Sequence, residues 1–424
     1  MTEAARPGSR ASDPPGPPET ARGDPRAAVA HPGRLARWPF VEALTPLLPL
    51  YALDVLTAFT VGMLPPLLPL VAGDWALSTV EAGLVNTLYA IGRLAGSYPA
   101  SRLRARWGTR AAVFIGLAGL IGGSLGCGLA PTYPVFLAAR LVMGLGASAT
   151  FLAVFAELLE SAPAVWRGRL ANAFEGMAIL SLAVGGILAA ALAEGAGWRP
   201  AFVASGVVML LSVLTWGWIG PLAGRHDPTS PGAARWVSGA EFRVLAPVYA
   251  AALAMAMTWA GLFATLVPLL GHGGYGLSTT AIGLALGAGY VAELIGLAGV
   301  GLGIDRVRRE PIFTGGALSV AAGGLLLAVG ARPLTFVVAL VLIGGGFAVW
   351  MIPATVLADR AGTPLPPAHL AVYRIAMDAG MILGPLVLGA LAGVAGDRLA
   401  AGAAGFILIA GAVVLAQRGG GPMV

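Results

Sequence analysis

Apolar runs of helix length recur along nearly the whole chain, and each ends in a short polar connection. The first begins near Leu47 and carries Asp54 and the pair Pro65 and Pro66. Others run from about Val80 to Ala100, Ala111 to Leu129, Pro134 to Leu158, Leu170 to Ala193 and Pro200 to Leu222. A polar stretch, GRHDPTSPGAARWVSGAEFR (Gly224 to Arg243), then interrupts the pattern. Six further runs cover about 244–270, 279–303, 311–330, 334–357, 368–395 and 399–416. Most approach the roughly 20 residues a helix needs to cross a hydrocarbon core of about 30 Å. The pattern predicts an all-α membrane protein of twelve transmembrane helices, split six and six. Residues 1–38 form a tail, 39–222 a first six-helix bundle, 223–243 a linker, 244–418 a second bundle and 419–424 a short tail. The first tail is rich in Pro, Ala, Gly and Arg and has no apolar centre, so it reads as disordered rather than as a signal peptide.

The two halves repeat at an offset of 200 residues. Leu77–Thr79 meets Leu277–Thr279, both LST; Gly83 and Leu84 meet Gly283 and Leu284. Gly96 meets Gly296, Arg106 meets Arg306, and Gly144 and Gly146 meet Gly344 and Gly346. An even number of spans per half makes these parallel repeats about an axis along the membrane normal. A ligand site is then expected between them, near the midplane.

Composition agrees with the class: 57% of residues are hydrophobic and 11% charged. All 26 basic residues are arginine. The connections after even-numbered spans carry thirteen of them, and the opposite connections only Arg199, Arg332 and Arg398. This asymmetry predicts a plasma (inner) membrane protein with the crowded side and both termini in the cytoplasm. The arginines form no stripe that would track phosphates, so nucleic acid is not an expected partner. Cys127, the single cysteine, rules out a disulfide framework and offers no metal cluster. No cofactor is expected, nor an enzyme; the lipid bilayer, a small-molecule substrate and protons are, and the chain reads as a monomer.

Two short arginine-rich segments sit between apolar runs, SRLRARWGTR (Ser101–Arg110) and GLGIDRVRR (Gly301–Arg309). Each reads as a tight cationic turn of a membrane hairpin. With them in view the chain resembles the major facilitator superfamily across all twelve spans. Gly301, Asp305, Arg306, Arg308 and Arg309 resemble that family's loop motif, lacking only its second glycine. The earlier copy has Ser101 for the glycine and Ala105 for the aspartate. Arg140, Gly144 and Gly146 in RLVMGLG are similar to the family's helix 4 motif, and GWRPAF (Gly197–Phe202) to its helix 5–6 turn. Gly380, Gly384 and Pro385 in span 11 resemble a glycine–proline motif that the family's antiporters carry in helix 5; here helix 5 has Ser181, Gly185 and Gly186. The resemblance implies a proton-coupled secondary transporter akin to drug/proton antiporters. It also implies a switch loop in which Asp305 clamps a neighbouring helix, and a cavity lined by spans 1, 4, 7 and 10.

Ionisable groups inside spans are costly and mark pathways. Seven stand out: Asp54, Arg93, Arg140, Glu175, Glu293, Arg374 and Asp378. Arg374 and Asp378, four apart, are expected to pair, and Glu175 lies near a span end where it can snorkel. Arg93 and Glu293 each precede the equivalent positions Ala105 and Asp305 by twelve residues, roughly 18 Å of helix. Opposite charges therefore occupy equivalent central sites. Arg140 is expected to pair with Asp54. Glu293, with no other charge within eleven residues on either side, is the candidate for the coupling proton, against the alternative of a salt bridge to Arg93 or Arg374. Phe59, Phe151, Phe155, Met255, Trp259, Phe263, Phe347 and Trp350 are candidates to line the substrate cavity. Two asparagines and one glutamine in the whole chain offer little for binding a sugar. The leading expectation is proton-driven export of small amphipathic or drug-like compounds. The alternatives are uptake of a small organic anion and, from another class, a non-transporting membrane sensor or scaffold.

Overall fold

The computed structural model describes residues 44–163, 165–216, 237–303, 308–361 and 367–417. These lie in one compact unit, Ala43–Val424, and are nearly all helical, with no strand among them. The first span is a pair, α1 (Leu48–Gly62) and α2 (Leu64–Asp74), with Pro65 and Pro66 in the first turn of α2, where a missing N–H costs little. Then come α3 (Thr79–Leu129), α4 (Tyr133–Ser161), α5 (Arg167–Ala196) and α6 (Trp198–Trp216). The second half opens with α7 (Gly239–Thr258), which passes through a π-helical segment, Trp259–Leu266, into α8 (Val267–Gly273). It continues with α9 (Thr279–Gly303), α10 (Arg309–Val329), α11 (Pro333–Phe347), α12 (Ile352–Ala361), α13 (Pro367–Ala395) and α14 (Asp397–Gln417).

Among the described residues ten helical stretches are long and apolar enough to cross a membrane. The count of twelve needs two further readings. Helix α3 has 51 residues, about 77 Å of α-helix, more than twice the hydrocarbon thickness. Gly108 divides it with φ 85° and ψ 170°, a conformation that no side chain tolerates well. Helix α6 is the other, with a shorter apolar stretch, Trp198–Val213. The segment Ser101–Arg110 is therefore no open turn, as its polarity suggested. Both spans stay helical through it and break at one residue. The expected linker 223–243 is also too long at its end, because Ser238 and Glu241 form a capping box that starts α7 at Gly239. Residues 1–38, 223–236 and 419–424, with Asp305 and Arg306, lie outside the described residues.

The 200-residue offset recurs in the packing. Gly144 abuts the carbonyl of Tyr89, and Gly344 that of Gly289, so closely that neither has room for a Cβ. Gly146 meets Gly116 as Gly346 meets Gly316. Without a hydrophobic drive between helices in lipid, such small-residue crossings let backbones approach closely enough for dispersion to hold them. A polar latch repeats too. Arg199 donates to the carbonyl of Ala130 and lies 5.6 Å from the Trp75 ring; Arg398 donates to the carbonyl of Gly330 and lies 5.1 Å from the Tyr275 ring.

The halves meet most tightly towards the arginine-poor face. Thr79 donates to Asp397 at 3.1 Å and Thr87 to the Ile382 carbonyl at 3.2 Å. Asn86 donates to Thr265 Oγ1 at 2.9 Å and to the Ala264 carbonyl at 3.1 Å, in the π-helical segment. On the arginine-rich face, every ion pair among the described residues stays within one half. Arg104 holds Glu160 at 2.6 Å and Glu157 at 3.6 Å in the first; Arg309 holds Asp359, and Arg360 holds Glu310 at 3.4 Å, in the second.

Candidate functional site

Six of the seven charges singled out from sequence gather where the halves touch. Helix α3 packs against α13, and α9 against α5. At the first contact Arg93 lies 3.4 Å and Arg374 3.5 Å from the two oxygens of Asp378, which is 1% exposed. These are charge contacts rather than aligned hydrogen bonds, since neither Asp378 oxygen has a partner in hydrogen-bond geometry. The expected Arg374–Asp378 pair is present, but it also takes in Arg93 from the other half. At the second contact Glu293 has Glu175 as its electrostatic neighbour, and Glu175 is in turn within range of Arg374 and Arg93. Glu293 is 5% exposed, and its Oε2 has no hydrogen-bond partner. The expected alternative, a salt bridge from Glu293 to Arg93 or Arg374, is not formed. Asp54 on α1, also buried, lies within electrostatic range of Glu175. Around it, Tyr51 donates to the Leu170 carbonyl at 2.6 Å and Ser181 to the Val55 carbonyl, tying α1 to α5.

The expected Arg140–Asp54 pair is absent. Arg140 is fully enclosed, with its guanidinium 4.7 Å from the Tyr89 ring and Nε donating to the Val85 carbonyl at 3.3 Å. It reaches towards α3 rather than α1. A ring face satisfies a buried guanidinium without a carboxylate, and no charge-spacing rule reveals such a partner in sequence.

The aromatic candidates divide. Phe263 and Phe347 are fully buried and meet at 6.0 Å, and Met255 is buried too; they belong to the second-half core, not to a cavity wall. Burial in one half's own packing outweighed their place on spans 7 and 10. Phe151 and Phe155 remain partly exposed, stacked at 5.5 Å, as do Trp259 and Trp350, edge to face at 6.2 Å. Phe59 packs beside the first-half core. Arg374 crosses to this wall, its guanidinium 5.1 Å from the Phe151 ring.

Of the loop motif, Gly301 is exposed at the end of α9. Arg308 lies 3.8 Å from Glu310, and Arg309 donates to the Thr355 carbonyl at 2.8 Å as well as pairing with Asp359. Sequence reading passed over Glu157, inside the fourth apolar run. It is 2% exposed and accepts from Thr109 at 2.7 Å beside Arg104. Its signal was the arginine-rich segment facing it. His369 is buried against the Tyr249 hydroxyl at 3.0 Å.

A family model of the Major Facilitator Superfamily matches residues 50–367, well over half of the chain. The chain belongs to the Major Facilitator Superfamily. It is a multi-pass membrane protein of the transporter class, and not an enzyme. Among solved structures, the xylose transporter XylE from E. coli, in an inward-open conformation, shares the fold. That match has TM-score 0.69 and 16% identity, covering 90% of this chain and 96% of the other. Curated superfamily relatives align over parts only. The "Probable metabolite transport protein CsbC" of Bacillus subtilis is 30% identical over 27% of this chain and 25% of its own length. The "D-xylose-proton symporter-like 2" of Arabidopsis thaliana is 27% identical over 47% of this chain and 38% of its own. The "Uncharacterized MFS-type transporter Rv1250" of Mycobacterium tuberculosis is 28% identical over 34% and 24%. The chain thus aligns with well under half the length of each of these relatives.

Proposed function

We propose that this superfamily member is a proton-coupled secondary transporter that works by alternating access and exports small amphipathic or drug-like compounds in exchange for protons. It would act as a monomer in a plasma (inner) membrane, with the arginine-rich face and both termini cytoplasmic. One observation carries the reading: buried carboxyls and guanidiniums join the two six-helix halves beside a partly exposed aromatic wall. A carboxyl enclosed without a cation costs less as the neutral acid than as the anion, so Glu293 is suited to take a proton from one side and release it to the other. The rings of Phe151, Phe155, Trp259 and Trp350 suit apolar or amphipathic cargo. Asn86 is already engaged by the π-helical segment, and Gln417 lies at the end of α14, so few amides remain for a sugar.

The second reading is uptake of a small organic anion, favoured by two guanidiniums sharing one carboxylate at Arg93–Asp378–Arg374. Flux in proteoliposomes, across a compound panel and under pH gradients of either sign, tests both. Export predicts accumulation of lipophilic cations or neutral compounds against a proton gradient. Anion or sugar movement with the gradient would support uptake, and no flux at all would point to a sensor or scaffold. Glu293→Gln mimics the protonated acid. It should abolish accumulation driven by a pH gradient while sparing exchange at equilibrium, and a Gln variant that still concentrates substrate would remove Glu293 from the coupling role.

A further inference from the structure

The 200-residue repeat matches glycine with glycine at the helix crossings, yet it inverts charge at the centre. Arg93 aligns with Glu293 and, one residue out of register, Glu175 aligns with Arg374. Arg93 and Arg374 come together where α3 packs on α13, and their repeat counterparts Glu293 and Glu175 face each other where α9 packs on α5. Cations thus collect at one contact and carboxyls at the other. At the first, Arg93 and Arg374 share the single carboxylate of Asp378, with the charge of Glu175 in range but beyond ion-pair distance. At the second, neither Glu175 nor Glu293 has an ion pair among the described residues. The Tyr290 hydroxyl beside Glu293, 2% exposed, also lacks a hydrogen-bond partner.

An apolar wall lies beside the two poles. The Arg374 guanidinium sits 5.1 Å from the Phe151 ring, which stacks on Phe155 at 5.5 Å, and the buried Phe174 ring backs Phe155 at 5.8 Å. We infer that these residues form a bipolar site for a zwitterion. Its anionic group meets Arg93 and Arg374, its ammonium meets Glu175 and Glu293, and an apolar or aromatic body lies over Phe151 and Phe155. Charge complementarity selects this class. A singly charged ligand neutralises one pole and leaves the other desolvated and unmatched, and a sugar leaves both. The inference rests on the transporter reading and, in place of lipophilic cations or neutral compounds, assigns as cargo molecules carrying both charges.

The test uses the full chain, purified and reconstituted, with para-(aminomethyl)phenylacetic acid and ω-aminooctanoic acid as probes. The methyl ester of each keeps only the cation, and the N-acetyl derivative keeps only the anion. Binding by thermal shift and exchange by counterflow are measured together. The parent zwitterions should bind about tenfold more tightly than either derivative, the scale expected when one charge-assisted pair is lost. Arg374→Gln should weaken parent and N-acetyl derivative about tenfold and leave the methyl ester unchanged; Glu175→Gln should do the reverse. Arg374→Lys, which keeps the charge, should restore part of the loss and control for folding. Derivatives that bind as well as their parents would overturn the site, as would substitutions that weaken all three ligands alike. Selective binding without flux would keep the site and reject the transport reading. Flux of other compounds without this selectivity would do the opposite.

Discussion

Asp378 is the residue on which most of the central charge depends. Its carboxylate is buried and lies between guanidiniums from both halves, so Asp378→Asn would leave Arg93 and Arg374 facing each other across the contact. A loss of roughly 3 kcal/mol is expected, the order found when one partner of a buried ion pair is removed. Thermal unfolding in detergent measures it, and Asp378→Asn combined with Arg93→Gln should recover part. Arg140 makes the contrary case. Its partner is the Tyr89 ring, so Arg140→Ala and Asp54→Ala should combine additively in stability, whereas Arg140→Ala and Tyr89→Leu should not. The seven charges were legible in sequence because an ionisable side chain inside an apolar run is conspicuous. Their partners were not. Asp378's second cation comes from 285 residues away, and Arg140's ring shows no signature in charge spacing.

The helices were legible to within a few residues wherever an apolar run met a cap or a proline. The repeat was legible for a better reason: the paired glycines found at an offset of 200 are the places where backbones touch. Gly144→Ala and Gly344→Ala should therefore behave as equivalents, each forcing a methyl against a carbonyl of the facing helix. Overpacking of this kind costs about 1–3 kcal/mol, and more where backbone must move; a chemical-denaturation comparison of the two variants checks it. What sequence could not give was the continuity of α3. The polar segment Ser101–Arg110 looked like a loop, but arginine favours a helix and can carry its charge to the interface while the backbone stays helical. Only Gly108 breaks it. Gly108→Ala would place a side chain at φ 85°, at a cost on the order of 1–2 kcal/mol, and should slow transport if the two spans must flex there.

At the scale of the whole molecule, the contacts between halves among the described residues lie at the centre and towards the arginine-poor face, and the ion pairs described on the arginine-rich face stay within halves. The orientation proposed for these faces can be read directly. Cys127 is buried in the first-half core, so a Cys127→Ala background avoids burying a hydroxyl there, and Ser101→Cys within it should react with a membrane-impermeant maleimide only from the cytoplasmic side. Labelling of Ser101→Cys from outside intact cells would reverse the assignment.

The absence of lysine from the chain has an electrical consequence. A guanidinium stays charged under all working conditions, so Arg93, Arg140 and Arg374 contribute a constant three positive charges to the interior. Against them stand four carboxyls, Asp54, Glu175, Glu293 and Asp378. Fully ionised they leave the centre with one net negative charge, and a single proton makes it neutral. A membrane potential of 100 mV acts on one elementary charge with up to about 2.3 kcal/mol. Such a potential should therefore bias the deprotonated carrier between its two orientations and leave the singly protonated one in place. Imposed potassium diffusion potentials should alter the rate of the proton-free step in the wild type, and Glu293→Gln should remove that voltage dependence together with the coupling.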